Sequence, residues 1–196
     1  MANIKSQEFM EPFRLEATRF LSTLNEEDLQ PLADYEFDEE LDLMWFQYGL
    51  YIDSLVNSKN FSFDKFAQIV SLYMIVEMLQ KAGFYAASYN YIGEGVVPEH
   101  IDSELCSDVV LARALIPVSE TSAKFTGFSI DLETGKEEFV EDLEIKDMPI
   151  YLNPVKPHSL KQEDAMGHYI IADAIKGDAS SDAILEYKRY AVTAYS

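Results

Sequence analysis

Hydrophobic spacing divides the chain into a helical first half and a mixed second half. Pro12 suits the first turn of a helix, and apolar residues recur after it at helical spacing over 13–24. A second apolar stripe follows three acidic residues at 38–40 and continues to 55. The segment 63–82 is apolar on nearly all sides and precedes Gly83. The first half therefore predicts three helices, the third of them central to the core.

Strand patterns appear only in the second half. Residues 124–132 and 137–145 alternate apolar and polar positions around a turn that contains Gly135, which predicts a β-hairpin. Looser patterns predict further strands over 84–91 and 149–152.

Three helices complete the predicted second half. A short helix is expected over 102–114, and Ser159 with Gln162 matches a capping box at the start of a helix over 159–176. A last helix is expected to start at Ser181 or Asp182 and to run through Ala191. The predicted fold class is α+β: a helical first half of about three helices, packed with a β-hairpin or small antiparallel sheet and two C-terminal helices. We expect a single domain over 1–196, with its helical part at about 1–83 and its mixed part at about 84–196.

Composition narrows the possible partners. The chain is 48% hydrophobic, enough for a core, and carries 35 acidic against 15 basic residues for a formal net charge of −20. Such a charge opposes direct binding to nucleic acid or to an anionic membrane and favours a basic partner. One cysteine, Cys106, cannot form an internal disulfide, which is typical of a reducing compartment. We expect a cytoplasmic protein.

Two acidic clusters are the most distinctive feature of the charge pattern. No lysine or arginine occurs between Phe20 and Ser58, a stretch rich in acids and aromatic residues. A second run of acids lies on and after the predicted hairpin. The candidate partner-binding residues are Glu26, Glu27, Asp28, Glu36, Asp38, Glu39, Glu40, Asp42, Glu137, Glu138, Glu141 and Asp142.

The charge pattern favours a non-enzymatic protein that docks on a basic surface. The most specific version of this hypothesis is a nucleic-acid mimic that inhibits a DNA- or RNA-binding protein by occupying the nucleic-acid groove of that protein. The alternative is a structural or assembly subunit of a ring or virion-like complex, located in the virus particle in the latter case. A homo-oligomer is compatible with both hypotheses, because the apolar segment 63–82 could pack against a second copy.

A third hypothesis is a metal-dependent enzyme of unfamiliar type. Asp164 and His168 are four residues apart and would share one face of a helix over 159–176. Two ligands do not define a metal site, since zinc normally takes three or four. No phosphate-binding loop and no nucleophile elbow occurs. The sequence therefore assigns no catalytic, cofactor-binding or metal-binding residue and no cofactor.

Overall fold

The structure is a computed structural model that describes residues 4–23, 33–38, 43–49, 63–102 and 106–194. Among these residues, no helix is both long enough and apolar enough to cross a membrane.

Eight strands and four helices make up the described chain. The helices are α1 (Gln7–Leu21), α2 (Phe63–Lys81), the single-turn α3 (Cys106–Val109) and α4 (Ser181–Ala194). The strands are β1 (Ala33–Asp38), β2 (Leu43–Gly49), β3 (Phe84–His100), β4 (Val110–Pro117), β5 (Ala123–Ile130), β6 (Glu137–Ile145), β7 (Ile150–Leu152) and β8 (His158–Ile175).

All eight strands belong to one antiparallel sheet in the order β1-β2-β3-β8-β4-β7-β5-β6. The long strand β8 pairs with β3 along one edge, and on the other edge it pairs first with β5 and then with β4. Because β4 also pairs with β7, and β7 with β5, the circuit β8-β4-β7-β5-β8 closes. The fold is jelly-roll-like.

The two faces of this sheet bury different residues. Alternate positions of β4 and β8, such as Ala112 and Ile170, pack against Phe13 and Phe20 of α1 and Leu72 of α2 in the largest core cluster. The positions between them face the interior of the closed sheet, where a second cluster gathers around Phe125. The period-two alternation of strands therefore places the helical layer outside and a cavity inside.

The predicted α+β fold class is wrong, and three elements account for the difference. Residues 43–49 form β2, although the sequence predicted a helix through them. The helix predicted over 102–114 is a single turn followed by β4. The helix predicted over 159–176 is the central strand β8.

The misassigned capping box shows why β8 was missed. Gln162 does not reach back to an amide: it is buried, its Nε2 donates to Thr121 Oγ1 at 3.0 Å, and its Oε1 accepts from Tyr169 at 2.6 Å. The strand is covered on both faces over much of its second half, which removes the simple alternation that marks a half-exposed strand. Pairing with strands distant in sequence decides the conformation here.

Other predicted elements are confirmed. Helices occur at α1, α2 and α4, and β5 and β6 form the predicted hairpin, in which Gly135 adopts a φ of 68°. Ser6 caps α1 by accepting from the Phe9 amide at 3.3 Å.

Candidate metal centre

Three side chains with metal-ligating atoms meet at one end of the closed sheet. His100 ends β3 and His158 begins β8, and the two are directly opposite each other in the strand register. Asp102 follows His100 by two residues, and its backbone amide donates to Pro154 O at 2.9 Å, which ties this segment to the loop before β8. One ligand atom from each of the three residues lies within 4.8 Å of the others.

Backbone hydrogen bonds fix the orientation of both imidazoles. His100 Nδ1 lies 2.8 Å from Pro98 O, and His158 Nδ1 lies 2.9 Å from Lys156 O. Since a carbonyl oxygen can only accept, each Nδ1 carries the proton, and in the neutral ring Nε2 presents a lone pair. Both Nε2 atoms lie 3.6 Å from an oxygen of Asp102. Histidine ligands of metals are commonly held by such a bond from the second ring nitrogen.

The Asp102 carboxylate is charged but incompletely satisfied. Arg113 Nη1 lies 2.7 Å from Asp102 Oδ2. This oxygen is nevertheless buried and receives no hydrogen bond of good geometry from any described residue. Burial opposes ionisation of Asp102, but the guanidinium and the two imidazoles outweigh burial and hold the pKa of this carboxyl below its usual range.

The two imidazoles experience different environments. The Asp102 carboxylate raises the pKa of His100, whose side chain is partly exposed. Burial lowers the pKa of His158. At neutral pH the cluster therefore offers an ionised carboxylate and a neutral, buried imidazole, which are the protonation states that metal binding requires.

A cavity of about 300 Å³ adjoins the three ligand residues inside the closed sheet. Its walls are mainly apolar, with Asn90 and Arg113 as the polar exceptions beside the ligands. The apolar lining residues are Ile92, Val97, Leu115, Phe125, Leu152, Leu160 and Ile171. A larger cavity of about 710 Å³ lies beside the turn at 131–136 and contains none of the three ligand residues.

These residues fit a divalent transition metal. Ligand atoms that share an ion at about 2.1 Å lie no more than about 4.2 Å apart. His100 Nε2 lies 3.6 Å from Asp102 Oδ1 and His158 Nε2 lies 3.6 Å from Asp102 Oδ2, so each imidazole is within this limit of one carboxylate oxygen. Two histidines and one carboxylate, with open positions facing a cavity, are the ligand set of non-haem ferrous sites. Asp102 Oδ2 is buried and lacks a directed hydrogen bond, so it could accept a cation, which would share this oxygen with the Arg113 guanidinium.

The acidic residues proposed from sequence do not gather at this centre. Glu36 and Asp38 lie on β1, while Glu26, Glu27, Asp28, Glu39, Glu40 and Asp42 lie outside the described residues. Glu137, Glu138, Glu141 and Asp142 lie on β6, at the opposite edge of the sheet order from β1. Asn153 Nδ2 donates a hydrogen bond to Glu137 Oε1 at 2.7 Å, and Lys156 donates to Glu137 Oε2. A role for these residues in partner binding stays a prediction.

The metal ligands suggested from sequence are also not brought together. Asp164 and His168 both lie on β8, and each has its own partner. Asp164 accepts from the Ser122 amide at 2.5 Å, and His168 Nδ1 lies 2.7 Å from the Tyr89 hydroxyl.

Sequence reasoning missed a signal that was present in the chain. His100 and Asp102 are separated by one residue, and a second histidine follows at 158. The chain has three histidines in all, so two of the three belong to the cluster. That pairing was hidden because His158 is 56 positions beyond Asp102, and only the closure of β8 against β3 brings them together.

Comparisons with known proteins give structural neighbours only. No family model matches the chain, and no curated protein sequence matches it. The Escherichia coli ribosomal oxygenase YcfD is 11% identical over 82% of this chain and 39% of that chain, with a TM-score of 0.42. A Pseudomonas putida prolyl-4-hydroxylase is 11% identical over 85% and 86% of the two chains, with a TM-score of 0.39. A Trichoplax adhaerens prolyl hydroxylase is 10% identical over 89% and 81%, with a TM-score of 0.45.

The chain spans 39% of the length of the ribosomal oxygenase. With TM-scores of 0.39 to 0.45, the neighbours do not assign a family, a substrate or an activity to this chain.

The function predicted from charge is corrected by the site itself. Neither a non-enzymatic mimic or inhibitor that docks through acidic residues nor an assembly subunit accounts for a His-Asp-His cluster beside a largely apolar cavity. Of the three hypotheses drawn from sequence, the metal-dependent enzyme is the one that matches this arrangement, with a different set of ligands.

Proposed function

We propose that the chain is a metal-dependent enzyme of the non-haem ferrous oxygenase class, with His100, Asp102 and His158 as the metal ligands. The observation that carries the proposal is the convergence of two Nδ1-protonated imidazoles and one ionised carboxylate on a cavity. Ferrous iron held there would supply the activation of dioxygen, which protein side chains cannot perform.

The lining of the cavity favours an oxygenase over a metal-dependent hydrolase. Many metal-dependent hydrolases place a general base near their metal-bound water. Within the part of the chain that the structure describes, the one ionisable lining residue besides the three ligands is Arg113, which is not a base at neutral pH. The mainly apolar walls suit a largely apolar substrate group. The single cysteine supports a cytoplasmic location, where ferrous iron is kept reduced.

Metal binding tests the proposal directly. The purified chain is stripped with a chelator and titrated without oxygen with Co²⁺, whose visible absorption reports ligand number. We expect one bound ion per chain, and we expect His100→Ala, Asp102→Asn and His158→Ala to weaken binding strongly. The matched control is His168→Ala, because His168 forms a hydrogen bond with Tyr89 and is not one of the proposed ligands. Equal Co²⁺ binding by all four variants would contradict the proposed ligand set.

Oxygen consumption separates the oxygenase from other metal enzymes. The iron-loaded chain is placed in an oxygen electrode with 2-oxo acids, beginning with 2-oxoglutarate, with which the E. coli ribosomal oxygenase has been solved. We expect iron-dependent oxygen uptake that Asp102→Asn abolishes. A chain that binds metal but consumes no oxygen with any 2-oxo acid or thiol reductant would retain the metal site and refute the oxygenase class.

A further inference from the structure

A buried series of polar side chains connects the C-terminal helix to Asp102. Arg113 on β4 lies directly opposite Asp173 on β8. Arg113 Nε and Nη2 donate to the two Asp173 oxygens at 2.7 and 2.8 Å, while Nη1 lies 2.7 Å from Asp102 Oδ2. One guanidinium therefore bridges a carboxylate of the proposed metal centre and a second carboxylate behind it.

The far end of the series is anchored in α4. The Tyr187 hydroxyl donates to Asp173 Oδ2, and its ring packs with Val109 at the end of α3 and Val110 at the start of β4. Asp173 is 2% exposed and Tyr187 is 3% exposed. Because both Asp173 oxygens have fixed donors, the bidentate pair holds the plane of the Arg113 guanidinium in one orientation.

This arrangement controls where the Asp102 carboxylate points. Asp102 lies after the end of β3, and among the described residues the contacts of its side chain are with Arg113 and the two imidazoles. If Asp173 were neutral, Arg113 would pair with Asp102 alone and would compete with a cation for the same oxygen. Because two carboxylates share the guanidinium, the Asp102 carboxylate is held in one orientation and stays available to a metal ion.

We propose that Arg113 is a positioning residue for Asp102, held in place by Asp173 and Tyr187, so that α4 is coupled to the metal centre. This inference rests on the proposed function, because it concerns the affinity of the same site for a divalent metal. The series consists of Arg113 on β4, Asp173 on β8 and Tyr187 on α4, and none of these three residues is a ligand in the described cluster.

The test compares Co²⁺ affinity and absorption spectrum across variants of the full chain. We expect Asp173→Asn to weaken Co²⁺ binding by about 10- to 100-fold, the range found when partners of metal ligands are removed. The matched control is Asp164→Asn, the same change on the same strand at an exposed position that bonds to Ser122. It should leave affinity and spectrum unchanged.

Tyr187→Phe provides a second, milder variant in case Asp173→Asn does not fold. It removes one hydroxyl, and we expect a several-fold loss of Co²⁺ affinity. In the double variant with Asp173→Asn the tyrosine change should add little, because its effect passes through Asp173. Arg113→Lys should recover part of the affinity that Arg113→Met loses, since lysine keeps the charge but not the bidentate pairing.

The outcomes distinguish this inference from the proposed function. If the unmodified chain binds no Co²⁺, both are refuted. If it binds Co²⁺ through His100, Asp102 and His158, but folded Asp173→Asn and Tyr187→Phe keep its affinity and spectrum, the positioning role is refuted and the metal centre stands.

Discussion

Gly127 offers the sharpest test of how the sheet holds a proposed metal ligand. It lies on β5 against the start of β8, and a Cβ atom added there would meet His158 Cβ at 2.7 Å and His158 Cα at 3.2 Å. The Phe125 ring lies 2.9 Å away on the other side. Its φ of 154° is one that residues with a side chain rarely adopt. The substitution Gly127→Ala therefore adds both a clash and backbone strain.

The expected cost follows from these two effects. An extra methyl group in a packed interior costs about 1–3 kcal/mol, and an unfavourable backbone conformation costs about 1–3 kcal/mol. Relief by moving His158 requires parting β5 from β8, which pair at Thr126 and Ser159. We expect the free energy of unfolding to fall by about 2–6 kcal/mol and Co²⁺ affinity to fall at least about tenfold, as when the support of a ligand is lost.

Urea unfolding and Co²⁺ titration measure these two effects, with Gly135→Ala as the matched control. Gly135 has a φ of 68° but no atom within 4 Å of an added Cβ, so its substitution imposes strain without a clash. It should lower stability by about 1–3 kcal/mol and leave metal affinity unchanged. If Gly127→Ala proves no less stable than Gly135→Ala and binds Co²⁺ as the unmodified chain does, the close packing of β5 on His158 is not what holds this ligand.

Three further predictions concern the core, the metal and pH. Phe13→Ala, at a fully buried position of α1, should destabilise the chain by about 3–5 kcal/mol in urea, while Leu15→Ala, at a position 53% exposed, should change stability by about 0.5 kcal/mol or less. Co²⁺ at 100 times its Kd should stabilise the fold by about 2.7 kcal/mol, a Tm increase of about 5–11 °C that His158→Ala abolishes. Burial lowers the pKa of His168, so the folded state resists its protonation. Stability that is present above about pH 6.5 should therefore be lost as the pH falls, and the urea midpoint of His168→Gln should decline less between pH 7.5 and 5.

Local patterns predicted those elements whose stability is local. The hairpin of β5 and β6 was identified because its strands are adjacent in sequence and its turn contains a glycine with positive φ. Helices α1 and α2 were identified because apolar residues recur along them with capping or terminating signals. Each of these features is contained in a segment of about 15–20 residues, and over such a length hydrophobic periodicity is informative.

The central strands could not be predicted in the same way. Strand β8 pairs with residues of β3 that lie 58 to 90 positions earlier, and it is buried on both faces through Ala172 and Asp173. An apolar run covered on both sides has no alternation to distinguish it from a buried helix. The resulting error was also an error about function, because a helix over 159–176 placed Asp164 and His168 on one face and left His158 in a loop.

Charge misled the functional hypothesis for a physical reason. A formal charge of −20 describes the whole surface, whereas a metal centre depends on a few groups that are partly withdrawn from it. Asp102 is one of 35 acidic residues, so an acidic side chain at this position does not by itself indicate a site. His100 and His158, in contrast, are two of only three histidines. The rarer residue type is the more informative one in a chain of this composition. Because His158 faces Asp102 only when β8 is paired with β3, the ligand set depends on the long-range closure of the sheet, and a variant that loosens β8 should lose metal affinity before it loses its secondary structure.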